Sequence, residues 1–473
     1  MNRKITQLAV IGAGSGGYPA AFLAADLGMQ VTLIDPEPNP GGVCLYRGCI
    51  PTKTLLHVAR VIRETEEAER YGVKFARLEI DLDTVRSWKE RVVQKMTEGL
   101  GVLSKQRKIR WIQGQARFID SKILEVTKTE GSRESVEFEH AICATGSHSA
   151  LLPSVLCDSS RVLDSTSALE LQDVPESLLI VGGGYIGLEL GTIYAALGTR
   201  ISIVEMMGQL LPGADQDLVR IFSRNAKNIF ESIILNTTII EMKEQEKGIQ
   251  VVMKNSLKEI QKASFQKVLV TVGRQPNSGD LGLENTKVKV NVEGFIRVNQ
   301  QYQTNDPSIY AVGDVVGGSL LAHKATHEGK MAVQKIAGCS VSSKSKVIPS
   351  VLFTDPEIAW CGLTEIEAKE AGRTVSAVSF PWGASGRAAT LGRSDGLTKL
   401  IIDPSTEKII GVGIVGTGAG ELIAEGVLAV ETGVRASELS AAVHPHPTLS
   451  ETLMEAADLF HGRCTHFYRP LKK

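Results

Sequence analysis

Apolar positions along the chain fall into two patterns. Short unbroken runs, the mark of strands covered on both faces, alternate with stretches that repeat at helical spacing. Runs at 8–11 and 31–35 predict two strands around an alanine-rich helix that closes near Gly28. Helical spacing follows over 52–65, 60–71 and 87–103, then a strand pair at 109–118 and 123–126 and a strand at 141–146. Further strands are predicted at 178–181, 201–205, 268–273 and 309–314, with a helix over 322–337. From about residue 346 the pattern changes. Strands at 347–353, 359–363, 374–380, 397–403 and 409–415, then helices at 419–432 and 447–460, suggest an antiparallel sheet with covering helices. The fold class expected is α/β, with two Rossmann-like units followed by a separate C-terminal α+β domain.

The early elements carry a chemical signature. The first strand runs into Gly12-x-Gly14-x-x-Gly17, and the second strand ends on Asp35. Glycines at these positions permit a tight turn and let the backbone approach a pyrophosphate at the helix N-terminus, while the acid takes ribose hydroxyls. The unit recurs at Gly182-x-Gly184-x-x-Gly187, with Glu205 ending its next strand. Gly12 to Gly28 and Gly182 to Gly198 both span sixteen positions; Gly12 to Asp35 and Gly182 to Glu205 both span twenty-three. Two dinucleotides can thus be held at once. Strand ends at Thr145-Gly146, Gly273 and Asp314 read as ligand edges, with a cap on the 322–337 helix as the lesser reading for Asp314.

The length of 473 residues allows two to four domains. A net charge of −1 argues against a nucleic-acid partner or a polybasic membrane surface. Residues 5–25 are uncharged and follow Arg3 and Lys4, but glycines and Pro19 interrupt them and the apolar part is too short to cross a bilayer. No membrane insertion is expected, and a cytoplasmic location is the default. Five cysteines (Cys143, Cys157, Cys339, Cys361, Cys464) read as free thiols of a reducing compartment. No His/Cys cluster has zinc-ligand spacing, so no metal is expected.

Cys44 and Cys49 differ from these five. They lie in Gly-Gly-Val-Cys-Leu-Tyr-Arg-Gly-Cys-Ile-Pro-Thr-Lys, residues 41–53. In an ideal helix, rising about 1.5 Å per residue, they would point apart. A bond between them needs Cα atoms within about 7 Å, so Gly41, Gly42 and Gly48 would have to bend the chain. Pro51 suits a first helical turn, which places Cys49 near a helix N-terminus, where a thiol is acidified. Redox work and two ordinary buried thiols both remain open on these residues alone. At the other end, Glu451 stands five positions after His446, the spacing of a general base held in one tautomer or of an unrelated structural pair.

Taken together, the cysteine stretch, both glycine fingerprints, Val272-Gly-Arg-x-Pro-Asn277, Ala311-Val-Gly-Asp314, Ala384-Ser-Gly-Arg-Ala388 and His444-x-His446-Pro-Thr-Leu-Ser-Glu451 resemble the pyridine nucleotide–disulfide oxidoreductases over essentially the whole chain. Within them they resemble the branch that oxidises dihydrolipoamide for the 2-oxoacid dehydrogenase complexes. The resemblance implies an FAD-binding domain over 1–150, an NAD-binding domain over 151–275, a central domain over 276–345 that completes the FAD site, and an interface (dimerisation) domain over 346–473. One FAD per subunit would be held by Gly12, Gly14, Gly17, Asp35, Gly114, Ala116, Thr145, Gly146, Asp314 and Ala322. Lys53 would lie by the flavin and pair with Glu189. NAD would be held on the side of Gly182, Gly184, Gly187, Glu189, Glu205 and Gly273. Cys44 and Cys49 would form the redox disulfide. His446, oriented by Glu451, would serve the site of the other subunit of a homodimer. A lipoyl-bearing acyltransferase is the implied partner.

Glu205 disfavours a 2′-phosphate, and Met206 and Met207 supply no arginine for one, which favours NAD over NADP. A glutathione-type reductase would want those arginines; a mercuric reductase would want a C-terminal cysteine pair, where only Cys464 is present. A flavin- and nucleotide-binding scaffold of little turnover is the alternative from another class. Three departures from the family pattern stand out. Asp35 replaces a glutamate. No lipoyl module is expected before the first strand. Tyr46 and Arg47 replace a small polar and an apolar residue between the cysteines, and Arg47 is expected to favour thiolate forms there.

Overall fold

The computed structural model describes residues 4–76, 78–150, 152, 157–339 and 347–468; the expected domain boundaries at 150/151 and 345/346 involve residues outside this set. Strand β1 (Lys4–Ile11) pairs in parallel with β2 (Val31–Asp35) on one side and with β5 (Arg133–Cys143) on the other. Helix α1 (Gly17–Asp26) crosses between β1 and β2. All of β2 is buried, as expected of a strand covered on both faces.

Strands β3 (Arg110–Asp120) and β5 each run eleven residues; β3 serves two ladders and β5 three. The start of β3 extends the parallel sheet beside β2; its remainder turns into an antiparallel meander with β4 (Ile123–Lys128) and the start of β5. The chain returns to this sheet much later, when strand Ile309–Ala311 pairs with the end of β5.

The second unit repeats the plan. Its parallel sheet has the order 232–234, 200–204, 177–181, 267–270, 162–163, with helix Tyr185–Ala196 in the place of α1. A three-stranded meander over 237–265 matches β3–β5. The C-terminal unit is the expected antiparallel sheet, in the order 350–352, 357–362, 409–416, 397–402, 376–381. Helices Ala419–Thr432 and Glu451–Phe460 pack on it. In its core Trp382 is fully enclosed and donates its indole N–H to Thr398 at 2.9 Å.

A buried cation fastens this unit to the second one. Lys399 is 1% exposed, and its ammonium lies 2.9 Å from Asp215, 3.0 Å from Asp217, and against Glu365. Asp215 also accepts from the backbone N–H groups of Glu365 and Ile366. The three acids could be taken for a metal site, but they answer the charge of Lys399. A lysine loses its hydration on burial and is tolerated only with such partners.

Helix α3 (Cys49–Glu67) starts three residues before the expected 52–65. The short helix α2 (Gly42–Arg47) precedes it, and Gly48 breaks the two apart at φ −145°, ψ −116°. Leu55, Leu56, Ala59 and Ile62 form the buried stripe of α3, which packs on helix Tyr185–Ala196. The cysteine stretch is therefore pressed between the two nucleotide-type units.

Candidate active site

The first glycine turn opens on a cavity of ≈ 1040 Å³, near the top of the roughly 300–1,000 Å³ range of ligand sites. Gly12 has φ +93°, and a Cβ on Gly17 would stand 1.8 Å from the Gly12 carbonyl oxygen. Strand and helix thus meet at a distance only glycine allows, which aims the helix N-terminus into the cavity. Asp35 closes the turn from below: its carboxylate accepts from Ala13 N–H at 2.6 Å and Glu37 N–H at 3.0 Å. Burial pushes its pKa up to about 6, against the pull of Ala13 and Arg47.

The second turn is built alike. Gly182 has φ +111°, and Glu205 accepts from Gly183 N–H and Met207 N–H, both at 2.7 Å. The two acids occupy equivalent positions and hold equivalent backbone groups. Gly184 caps helix Tyr185–Ala196 with open space around it, whereas a Cβ on Gly187 would meet the Gly182 oxygen at 2.4 Å. Both turns therefore fit a dinucleotide phosphate.

The large cavity gathers Gly12, Gly14, Asp35, Cys44, Cys49, Lys53, Gly114, Ala116, Thr145, Gly146, Asp314 and Ala322 in its wall. Gly17 lies behind the turn, and Gly182, Gly184, Gly187, Glu205 and Gly273 line no part of it. Glu189, expected both to pair with Lys53 and to stand on the NAD side, lies in the wall of this cavity. Helix Tyr185–Ala196 packs on α3, so its inward face looks at the cysteine stretch. There Lys53 bridges both Glu189 oxygens at 2.8 and 2.9 Å, and Phe353 N–H adds a third bond at 3.0 Å.

Cys44 and Cys49 are both thiols and hydrogen-bond to one another. Gly48, between the two helices, supplies the bend; Gly42 seats the stretch on the first glycine turn, with φ +57° and a Cβ there reaching 2.4 Å from the Gly14 Cα. The two thiols ionise as a pair rather than as Cys49 alone at a helix N-terminus. The hydrogen bond from Cys49, with help from Ser15 and the Lys53 charge, brings Cys44 down to about 7 against the cost of burial. The proton shared with Cys44 and burial push Cys49 up. One thiolate is favoured near neutrality and the second is resisted.

Asp314 does not cap the 322–336 helix. It accepts from Ser147 Oγ at 2.5 Å, with Arg274 Nε 3.7 Å away. Arg274 also donates to the Ser147 hydroxyl and carbonyl at 2.6 Å, while Asn277 and Thr145 exchange bonds of 2.9 and 2.7 Å. The Arg-x-Pro-Asn segment thereby braces the Thr145-Gly146 rim. Sequence reading missed Glu328, which is buried at 4% exposure, accepts from Gly313 N–H at 2.7 Å and pairs with Lys324 at 2.7 Å. Its one signal is the spacing of four from Lys324 on a helix.

His446 stands apart from this wall. Its Nδ1 lies 2.9 Å from Glu451 Oε1, and the other carboxylate oxygen accepts from Thr448 N–H at 2.8 Å. Burial opposes ionisation of Glu451, but those two bonds outweigh it and hold its pKa below the usual range. The ring is 72% exposed and is absent from the cavity that holds Cys44 of the same chain.

Residues 6–329 match the profile of the pyridine nucleotide-disulphide oxidoreductases. The chain belongs to that family. Residues 348–457 match the family's dimerisation domain. The chain is 46% identical to the dihydrolipoyl dehydrogenase of Buchnera aphidicola and 44% identical to that of Vibrio cholerae, each match covering 98% of both proteins. Among solved structures it resembles LpdA from Mycobacterium tuberculosis (TM-score 0.89, 25% identity, 96% of this chain and 99% of that one). It also resembles the HOCl-induced flavoprotein disulfide reductase RclA from Escherichia coli (TM-score 0.86, 28% identity, 97% and 100%). No helix among the described residues is long and apolar enough to cross a membrane.

Arg47, expected to favour thiolate at the dithiol, pairs instead with Glu37, and its charge is felt at Asp35. The groups that stabilise the Cys44 thiolate are Cys49, Ser15 and Lys53.

Proposed function

We propose that the chain oxidises dihydrolipoamide to lipoamide with reduction of NAD+ to NADH, by way of a Cys44–Cys49 disulfide and an FAD in the large cavity. The observation that carries this is the dithiol: two cysteines on one bend of the chain, facing the cavity, with a first ionisation near neutrality and the Lys53–Glu189 pair beside them.

The chemistry follows from the groups present. Glu451 fixes Nδ1–H of His446 and leaves Nε2 to take a proton from a substrate thiol. The substrate thiolate attacks Cys44; the Cys44–Cys49 bond breaks and Cys49 departs as thiolate. The second substrate sulfur then closes the ring, displacing Cys44, and the remaining proton is shared within the cysteine pair. Two electrons have passed from substrate to the cysteine pair. When bound, FAD supplies the two-electron acceptor between this dithiol and NAD. Gly12, Gly14, Gly17, Asp35, Gly114, Ala116, Thr145, Gly146, Asp314 and Ala322 would hold it, with Lys53 at the flavin end. Gly182, Gly184, Gly187, Glu205 and Gly273 would hold NAD, and Glu189 would act through Lys53.

Since His446 lies away from its own cavity, the base is taken from the partner subunit, and the working unit is a homodimer closed by residues 346–473. Residues 1–150 and 276–345 would together form the FAD domain and 151–275 the NAD domain. The substrate is lipoamide on an acyltransferase of a 2-oxoacid dehydrogenase complex. The buried unpaired thiols Cys143 and Cys361 suit the reducing cytoplasm.

One assay panel tests this: dihydrolipoamide with NAD+, against NADPH with glutathione disulfide, while flavin absorbance is recorded. Turnover with the first pair and bleaching of the flavin by dithiol are expected. Turnover confined to the second pair would make the chain a glutathione-type reductase.

A further inference from the structure

The segment between the cysteines has a second set of partners. Loop 36–40 reads Pro-Glu-Pro-Asn-Pro and carries the wall of the cavity beyond Asp35. Its three prolines remove three backbone donors and leave little scope for the loop to hold itself by main-chain bonds. Side chains hold it instead. On one side Gln113 of β3 donates to the Pro36 carbonyl at 3.0 Å. On the other, Tyr46 of α2 donates its hydroxyl to the Asn39 carbonyl at 3.0 Å and accepts from Asn39 N–H at 3.2 Å. Next to it, Arg47 ion-pairs with Glu37. Both members of that pair line the cavity together with Asp35, Gly114, Gln115 and Ala116.

We infer that Arg47 and Glu37 form an ionic latch across the adenosine end of the cavity, seated on the Tyr46–Asn39 tether, which slows release of the bound flavin dinucleotide. The inference rests on the FAD reading above. The latch spans two elements, α2 and the proline loop, which both contribute to the cavity wall. It also places the two residues that depart from the family pattern at the cofactor's far end rather than at the dithiol. Arg47 is suited to the role because its planar fork engages a carboxylate with two donors and stays charged at any working pH. The side chains are 39% and 25% exposed, so the pair is open to salt.

The experiment uses flavin-loaded dimer, wild type and Arg47→Val, Arg47→Lys, Glu37→Gln and the double variant. Release is followed by recovery of flavin fluorescence after dilution, at low and high salt. Alkylation of the reduced cysteines is measured across pH in parallel. Arg47→Val and Glu37→Gln should each speed release roughly three- to tenfold, in line with a half-buried charge-assisted pair. The double variant should be no faster than either single one, and Arg47→Lys should fall between. Salt should speed release from wild type and not from the Arg47→Val protein, and the alkylation profile should not move. Unchanged release from variants that remain yellow overturns the latch alone. A shifted alkylation profile with unchanged release does so too and returns Arg47 to the dithiol. A wild-type protein that holds no flavin overturns the cofactor reading, and the latch with it.

Discussion

Lys53 and Glu189 are 136 positions apart and belong to different nucleotide-type units, yet the ammonium sits 2.8 and 2.9 Å from the two oxygens of the carboxylate. Glu189 is 6% exposed and the lysine 34%. The pair therefore joins α3 to helix Tyr185–Ala196 at the cysteine stretch, and the more deeply buried partner is the one that suffers if it is broken. Lys53→Met should cost about 1–3 kcal/mol, less than a fully buried pair because water still reaches the ammonium. Changing Glu189 to Leu in the same protein should recover part of that loss, since the cost lies in the stranded carboxylate. Urea unfolding of the two variants checks this; a double variant weaker than the single one would contradict it.

The dithiol makes a pH prediction with a definite sign. A thiol brought down to about 7 is largely thiolate at pH 8, whereas one at its ordinary value near 9 is not. Reduced protein should react with iodoacetamide at Cys44 with a midpoint near pH 7. Cys49→Ala removes the main hydrogen bond to the Cys44 thiolate, so the midpoint should rise and the rate at pH 7 should fall. Mass-spectrometric counting of alkylated Cys44 against pH gives the curve. An unmoved midpoint would mean that Lys53 and Ser15 suffice.

His446 and Cys44 can be separated genetically. His446→Gln should lose about 10²- to 10⁴-fold in dihydrolipoamide oxidation, the range of a general base. Cys44→Ser should lose the reaction outright. If the base is borrowed across the dimer, a hybrid of these two dead variants contains one site with both groups intact. Co-expressed, separately tagged subunits should then regain up to half of the wild-type activity per dimer. A hybrid as dead as its parents would place both groups in one chain.

The two glycine turns should fail differently. Gly17→Ala forces a methyl against the Gly12 carbonyl, and the protein should lose its yellow colour or its fold. Gly187→Ala makes the milder clash, with the Gly182 oxygen and Thr271 Oγ1, and lies outside the large cavity. That variant should keep its flavin spectrum and show a KM for NAD raised by roughly tenfold or more, as for a lost dinucleotide contact. Absorbance at constant protein and NAD titration distinguish them.

Much of this protein was determined by local sequence. Unbroken apolar runs became buried parallel strands, and the equal spacings around Gly12 and Gly182 became two turns with the same hydrogen bonds, because a strand–turn–helix is built from neighbours in the chain. The helix at 419–432 and the antiparallel strands after 350 were equally legible. The His446–Glu451 pair was legible for the same reason, its members standing five positions apart.

Tertiary packing decided the rest. The Lys53–Glu189 contact joins two units 136 positions apart, and nothing in either helix's own sequence sets which unit its buried face will meet. The first ionisation of the dithiol comes near neutrality because the two sulfurs, Ser15 and Lys53 arrive together. Arg47 turned away from the cysteines because Glu37, ten positions earlier, offered it a carboxylate on a loop stiffened by proline. Lys399 and its three acids gave no local sign of one another. Charges and hydrogen-bond donors act over a few ångströms in space, and only the folded chain sets which residues come within that reach.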